Sequence, residues 1–194
     1  MVFNSIFFIF CFLPVFMLIY YLVPGKLRNL LLFLGSLIFY AWGEPVYVVL
    51  MILSILLNYC CGREIAANAE DERKAHRGMI FAVVVNLALL FFFKYYGFFL
   101  ELVNSVTSAE LTYRELALPV GISFYTFQGI SYVVDVYRGK AKAQRSFLNF
   151  ALYIALFPQL IAGPIVRYED IEPQLAQRKV SARKLGQGAM LFLI

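Results

Sequence analysis

Apolar and polar positions fall along this chain in blocks. Long apolar runs are separated by short clusters of charge, and no period-two alternation marks half-buried strands. Residues 2–23 form the first run, with Pro14 inside it and Pro24-Gly25 turning the chain after it. No basic stretch precedes this run and no small-x-small site closes it, so it predicts a span and not a cleaved leader. Residues 29–42 form a shorter run, covering only about 21 Å as helix. It ends in Tyr40 and Trp42, aromatics suited to the headgroup level. Run 46–61 carries Asn58, whose expected role is a hydrogen bond between helices. A mixed charge cluster at 62–78 follows, as expected of a solvated loop or surface helix. Run 79–103 contains Asn86 and Lys94, the latter near one end, where its long stem can reach the interface. After a loop at 104–117, runs 119–134 and 147–166 flank a connector holding Arg138, Lys140, Lys142 and Arg145. The pattern predicts an all-α, polytopic membrane protein built as one continuous unit without internal repeats.

The last two runs are unlike ordinary spans. On a helix, Gln128, Ser131, Asp135 and Arg138 fall within about a quarter of the circumference. Asp135 and Arg138 are expected to pair at the end of that helix. The 147–166 run is interrupted by Pro158 and by Gly163-Pro164, and Arg167 follows at once. Proline removes a backbone donor, and the groups it frees are tolerated at membrane depth only inside protein or beside a wet cavity. A polar stripe beside a broken helix fits a membrane-embedded chamber or conduit. It fits equally a polar seam between packed helices with a proline kink. The bend is expected to bring Gln159 and Arg167 toward the cytoplasmic mouth. There Arg167 could meet an anionic donor through its forked guanidinium, or anchor a helix end among headgroups.

Charge orients these runs. Lys26 and Arg28 follow the first run and no basic residue precedes it, which places the N-terminus outside the cytoplasm. A full crossing by 147–166 would put Arg167, Arg178, Lys179, Arg183 and Lys184 outside; a re-entrant dip keeps all five inside. Residues 181–194 would then begin the next outward span. The composition is 62% hydrophobic and 18% aromatic with mean hydropathy +0.76, well above the roughly 45–50% apolar content of soluble domains. The net charge of +5 lies in loops and calls for no nucleic acid. Zinc spacing, a Walker loop, a dinucleotide fingerprint and a nucleophile elbow are all missing from the sequence. Cys11, Cys60 and Cys61 make no disulfide framework. His76, the single histidine, sits in the charge cluster, where solvation is its expected state. An apolar run begins at Gly188 and is still open at Ile194, which predicts the front part of a longer protein.

Five strings occur in order: VFNSIFFIFCFLPVFMLIYYLVP, LFLGSLIFYAWGEP, FKYYGFF, PVGISFYTFQGISYVVDVYRG and FPQLIAGPIVRY. Together they resemble the membrane-bound O-acyltransferase family, in its bacterial branch that O-acetylates alginate, peptidoglycan and other cell-wall polysaccharides. The resemblance implies a ring of tilted helices around a thin centre, with residues 1–194 as the N-terminal portion of one membrane domain. It implies a tunnel in the bacterial cytoplasmic membrane. An acyl group from acetyl-CoA or another activated donor would pass through it to an acceptor outside, often by way of an extracytoplasmic partner protein. The family's catalytic histidine is expected beyond Ile194, and His76 does not take its place. The chain supplies candidates for lining and for polar donors to an oxyanion, namely Tyr125, Gln128, Ser131, Asp135, Arg138, Gln159 and Arg167. No catalytic residue, metal ligand or resident cofactor is expected within it. Two alternatives are D-alanyl transfer to teichoic acid within the same family and a non-enzymatic transporter or channel. The latter would need a second broken segment in a corresponding half.

Overall fold

The longest apolar run, 79–103, lies within the longest helix. The computed structural model describes residues 5–107, 118–160, 166–176, 186–188 and 190, and no strand occurs among them. A π-helical turn at Phe8–Phe12 leads into α1 (Leu13–Leu22). Pro14 has no N–H for the carbonyl of Phe10, and the wider turn falls at that point. A 3₁₀ turn at Gly25–Leu27 follows, then α2 (Arg28–Gly43) and α3 (Tyr47–Ala67). The fourth helix, α4 (Glu72–Thr107), has 36 residues and is about 54 Å long. That exceeds the roughly 30 Å of a bilayer's hydrocarbon core, so α4 must project beyond it. The remaining helices are α5 (Ile122–Tyr137), α6 (Phe147–Ala155), α7 (Phe157–Leu160) and α8 (Tyr168–Ala176). Both α3 and the Glu72–Val106 portion of α4 are long and apolar enough to cross a membrane.

The charge cluster at 62–78 is mostly helix, divided by a turn after Ala67. Asp71 makes that division. Its carboxylate accepts from the backbone N–H of Lys74 at 3.2 Å and lies 3.1 Å from the Lys74 ammonium. These two contacts hold the Asp71 carboxyl below its ordinary range and satisfy a free donor of α4's first turn.

Helices α3, α4 and α5 pack into the core, and small residues let them approach. A Cβ on Gly62 would stand 2.5 Å from the Tyr132 ring, and one on Gly129 would stand 2.5 Å from the Asn58 amide. Asn58 and Asn86 exchange hydrogen bonds between α3 and α4 at 3.1 and 2.9 Å. Each amide also donates to the carbonyl one turn back in its own helix, Ser54 and Ala82 respectively. All four amide hydrogens are therefore used. The interhelical role expected of Asn58 is borne out, with Asn86 as its partner.

Polarity is arranged inside out. The buried polar residues include Ser36, Asn58, Asn86, Gln128 and Asp135, whereas Phe10, Leu22, Phe81, Phe98 and Val106 are exposed. Between helices in lipid, apolar contact gives no preference over lipid contact, so close packing and hydrogen bonds must hold the bundle. We predict that Asn58→Leu alone strands the Asn86 amide and lowers thermal stability in detergent by roughly 1–3 kcal/mol. Asn58→Leu with Asn86→Leu should recover much of that loss, as a double-mutant cycle would show.

Candidate functional site

The break in the 147–166 run is the centre of the site. Helix α6 stops at Ala155, and Leu156 takes an extended ψ of 112°. The cause is Pro158, which cannot donate to the Ile154 carbonyl and would press its ring against it. Unwinding frees the backbone N–H of Phe157, which donates instead to Ser36 Oγ on α2 at 3.2 Å. The Ser36 hydroxyl donates in turn to the Leu32 carbonyl at 2.7 Å, so both its roles are filled. Around this bond the Phe157 ring lies 5.4–6.1 Å from the rings of Phe8, Phe12, Phe16 and Phe39. Gly35 lets α1 come this close, since a Cβ there would sit 2.2 Å from the Phe16 ring.

From this anchor α7 runs to the N-terminal end of α5. Gly121 precedes α5 with φ of 79°, the left-handed region that favours glycine. A Cβ on it would stand 2.8 Å from the Leu160 carbonyl oxygen. Gly121, Tyr125 and Gln128 lie within about 60° of one another around the α5 axis. Side chains on a helix lean toward its N-terminus, which carries Tyr125 toward α7. Tyr125 and Gln128 are 0% and 1% exposed. Tyr125 Oη, Gln128 Oε1 and, on α7, Gln159 Oε1 are buried without a hydrogen-bond partner, as is Thr126 Oγ1 on another side of α5. An unpaired buried polar atom costs about 1–3 kcal/mol. Three such atoms where α5 meets α7 are therefore a standing destabilisation.

The other end of the segment is closed by Gln144. Its backbone N–H donates to Tyr132 Oη at 3.0 Å, its side-chain amide donates to Tyr168 Oη, and its Oε1 accepts from the Ser146 N–H at 3.0 Å. Tyr153 Oη donates to the Val166 carbonyl at 2.9 Å, and the Tyr168 ring lies 5.2 Å from those of both Tyr132 and Tyr153. Asn29, at the start of α2, donates to Asn149 Oδ1 on α6 and to the Leu175 carbonyl on α8. The chain before and after the break is thus tied to the same end of the bundle.

The stripe expected along α5 divides by depth. Asp135 is buried and accepts from Ser131 Oγ at 3.4 Å, while Arg138 is exposed beyond the helix end. No ion pair joins Asp135 to Arg138. The expected pairing is corrected: Ser131, one turn away, serves the carboxylate and the guanidinium faces out. Gln159 and Arg167, both expected toward the cytoplasmic mouth, stand near different ends of α5. Gln159 adjoins Leu160 at the Gly121 end of α5, whereas exposed Arg167 adjoins Tyr168 at the Gln144 end. The Gly163-Pro164 break falls outside the described residues, as does most of the onward span at 181–194. No cluster of possible metal ligands occurs among the described residues. Sequence reasoning passed over Ser36 and Gln144. A lone serine inside an apolar run was a usable signal for the first, but Gln144 is one polar residue in a polar connector.

Comparison with known proteins finds relatives by sequence. No family model matches the chain, and no solved structure matches it. A Pseudomonas aeruginosa protein named "Probable alginate O-acetylase AlgI" is 40% identical over 197 residues, covering 100% of this chain and 38% of that protein. One of the same name from Azotobacter vinelandii is 39% identical, with 100% and 40% covered. A Helicobacter pylori peptidoglycan O-acetyltransferase is 32% identical over 226 residues, with 100% and 43% covered. The chain spans about two-fifths of the length of these curated relatives. The resemblance read from the five strings therefore holds along the whole chain.

Ser36→Ala should strand the Phe157 N–H and cost roughly 1–3 kcal/mol. The loss should concentrate at the break, so limited proteolysis of the variant should cut near residues 156–160 before it cuts α3 or α4. Wild-type protease resistance there would show that the hydroxyl is dispensable.

Proposed function

We propose that this chain, which aligns over its full length with the N-terminal part of bacterial polysaccharide O-acetyltransferases, is the corresponding part of a membrane-bound O-acetyltransferase. The complete protein moves an acetyl group from a cytoplasmic donor, acetyl-CoA or another activated acyl compound, to an extracytoplasmic polysaccharide. Alginate and peptidoglycan are the acceptors named among its relatives. The observation that carries this proposal is the 37–41% identity, over this whole chain, to five proteins named as probable alginate O-acetylases. D-alanyl transfer and transport have no comparable support.

In this proposal the broken segment is re-entrant. It enters from the Gln144 end as α6, reaches the level of Gly121 at Leu160, and returns to the Gln144 end at Tyr168. The bonds of Gln144, Tyr153 and Asn29 at one end, and the Leu160–Gly121 contact at the other, support that path. It leaves a thin part of the membrane domain beside α5, where an acyl group has the shortest distance to travel. The missing general base belongs to the part of the protein beyond this chain, as does docking of the extracytoplasmic acetyltransferase partner. The N-terminus lies outside the cytoplasm, with Lys26, Arg63 and Lys140 on the cytoplasmic side.

Two measurements check this. The complete protein, expressed in a bacterium lacking its own alginate O-acetylase, should restore ester-linked acetate to the secreted polymer. A polymer that stays unacetylated, in that host and in one lacking its peptidoglycan O-acetyltransferase, would overturn the proposal. For orientation, Lys140→Cys in a cysteine-free background should resist an impermeant thiol reagent in intact cells and react once the membrane is opened. Strong labelling in intact cells would reverse the topology.

A further inference from the structure

We infer that the α5–α7 junction is a binding site for an uncharged ligand group that both donates and accepts hydrogen bonds, with Tyr125 Oη as the donor that holds it. This rests on the acetyl transfer proposed above and names what that site holds.

The first support is chemical. Tyr125 Oη and Gln128 Oε1, on the Gly121 side of α5, and Gln159 Oε1, next in the chain to the Leu160 that meets Gly121, are buried without partners. A tyrosine hydroxyl can donate, whereas an amide oxygen only accepts. The set therefore asks for a group with an acceptor for Tyr125 and at least one O–H or N–H for the glutamine oxygens. A bare ester or thioester carbonyl would satisfy only the tyrosine. A hydroxyl or an amide satisfies both kinds.

The second support is electrostatic. The nearest charge along α5 is Asp135, ten residues and about 15 Å beyond Tyr125, and it is served by Ser131. Arg138 and Arg167 are exposed and belong to the other end. Tyr40 Oη donates to the Val120 carbonyl beside Gly121, which brings Glu44 at the end of α2 to this end of α5, so the charge that α2 brings is negative and an anionic ligand group buried at Tyr125 gains no countercharge from it. The anionic donor group expected to meet Arg167 thus belongs at the other end, and the junction suits a neutral stretch of donor or acceptor.

The third support is the contrast with the rest of the bundle. Asn58 and Asn86 use every amide hydrogen, Ser36 is filled on both sides, and Gln144 makes three bonds. Apart from Thr126 Oγ1, the buried side-chain atoms left open among the described residues are these three, and a ligand group would complete them.

The test separates a held ligand from a packing defect. Tyr125→Phe removes only the oxygen. In the complete protein it should leave the apparent melting temperature in detergent unchanged or raise it by about 2 °C, because an unsatisfied buried group is gone. The same variant should lose about tenfold of the acetylation measured in cells, the value of one lost hydrogen bond of about 1.4 kcal/mol. Gln159→Met, which keeps length and removes the amide, should behave alike. Wild-type acetylation in both variants would overturn the inference and leave the open atoms to ordered water. A lowered melting temperature in Tyr125→Phe would also overturn it, since the hydroxyl would then have a partner within the fold. Failure of the wild-type protein to acetylate at all would instead count against the function proposed above. Because Tyr125 could hold either substrate, the Michaelis constants for donor and for acceptor are measured separately in membranes. The one that rises in Tyr125→Phe names the source of the group.

Discussion

A backbone N–H that proline has freed inside a protein must find an acceptor, and in this molecule that requirement organises everything around the break. Pro158 forces α6 to end, and the loose donor is carried by Phe157. Ser36 is the acceptor. For it to reach, α2 must lie against the break, and Gly35 beside it lets α1 close over the same point. The Phe157 ring then has four phenylalanine rings around it, in contacts that are mostly edge to face, the geometry aromatic quadrupoles prefer. With its start fixed, α7 has room for a single turn before Leu160 meets Gly121. Gln159, next in the chain to Leu160, is thereby held near the Gly121 end of α5.

How much of this was legible beforehand depended on whether the cause was local. The helices were, because apolar runs bounded by Pro24-Gly25, by the Glu44-Pro45 turn and by charge announce themselves. The break at Pro158 was legible for the same reason, being a property of one ring and the carbonyl four residues back. Tyr125, Gln128 and Gln159 were legible as polar residues out of place in apolar runs. What was not legible is what the fold brings together. Residues 36 and 157 are far apart in sequence, and nothing near either names the other. The expected Asp135–Arg138 pair failed for a related reason. Helical spacing put the two on one side, but Arg138 lies where α5 ends and can reach solvent, while Ser131 sits one turn inward, already beside the carboxylate.

Separating Gln159 from Arg167 changes the chemistry the segment can perform. Had both stood at one mouth, one anionic group could have used a guanidinium and an amide together. Instead, Arg167 stands at the end where Gln144 and the basic connector lie, and the open atoms of Tyr125 and Gln159 lie nearer Gly121. A molecule lying along α5 would meet charge first and only uncharged hydrogen-bonding groups farther in. That order suits a substrate whose charged part stays at the surface while its neutral part goes deep, because desolvating an ion is far more costly than desolvating an amide or hydroxyl.

The segment is also held so that this gradient stays fixed. Gln144 and Asn29 fasten its two flanks at one end through side-chain hydrogen bonds. Ser36 fastens its middle, and the Gly121 contact seats its tip. A loop tied only at its ends would move its tip by ångströms, whereas positioning a ligand requires holding it to about one. With the middle and the tip also held, the unpaired oxygens sit on backbone that has little freedom left.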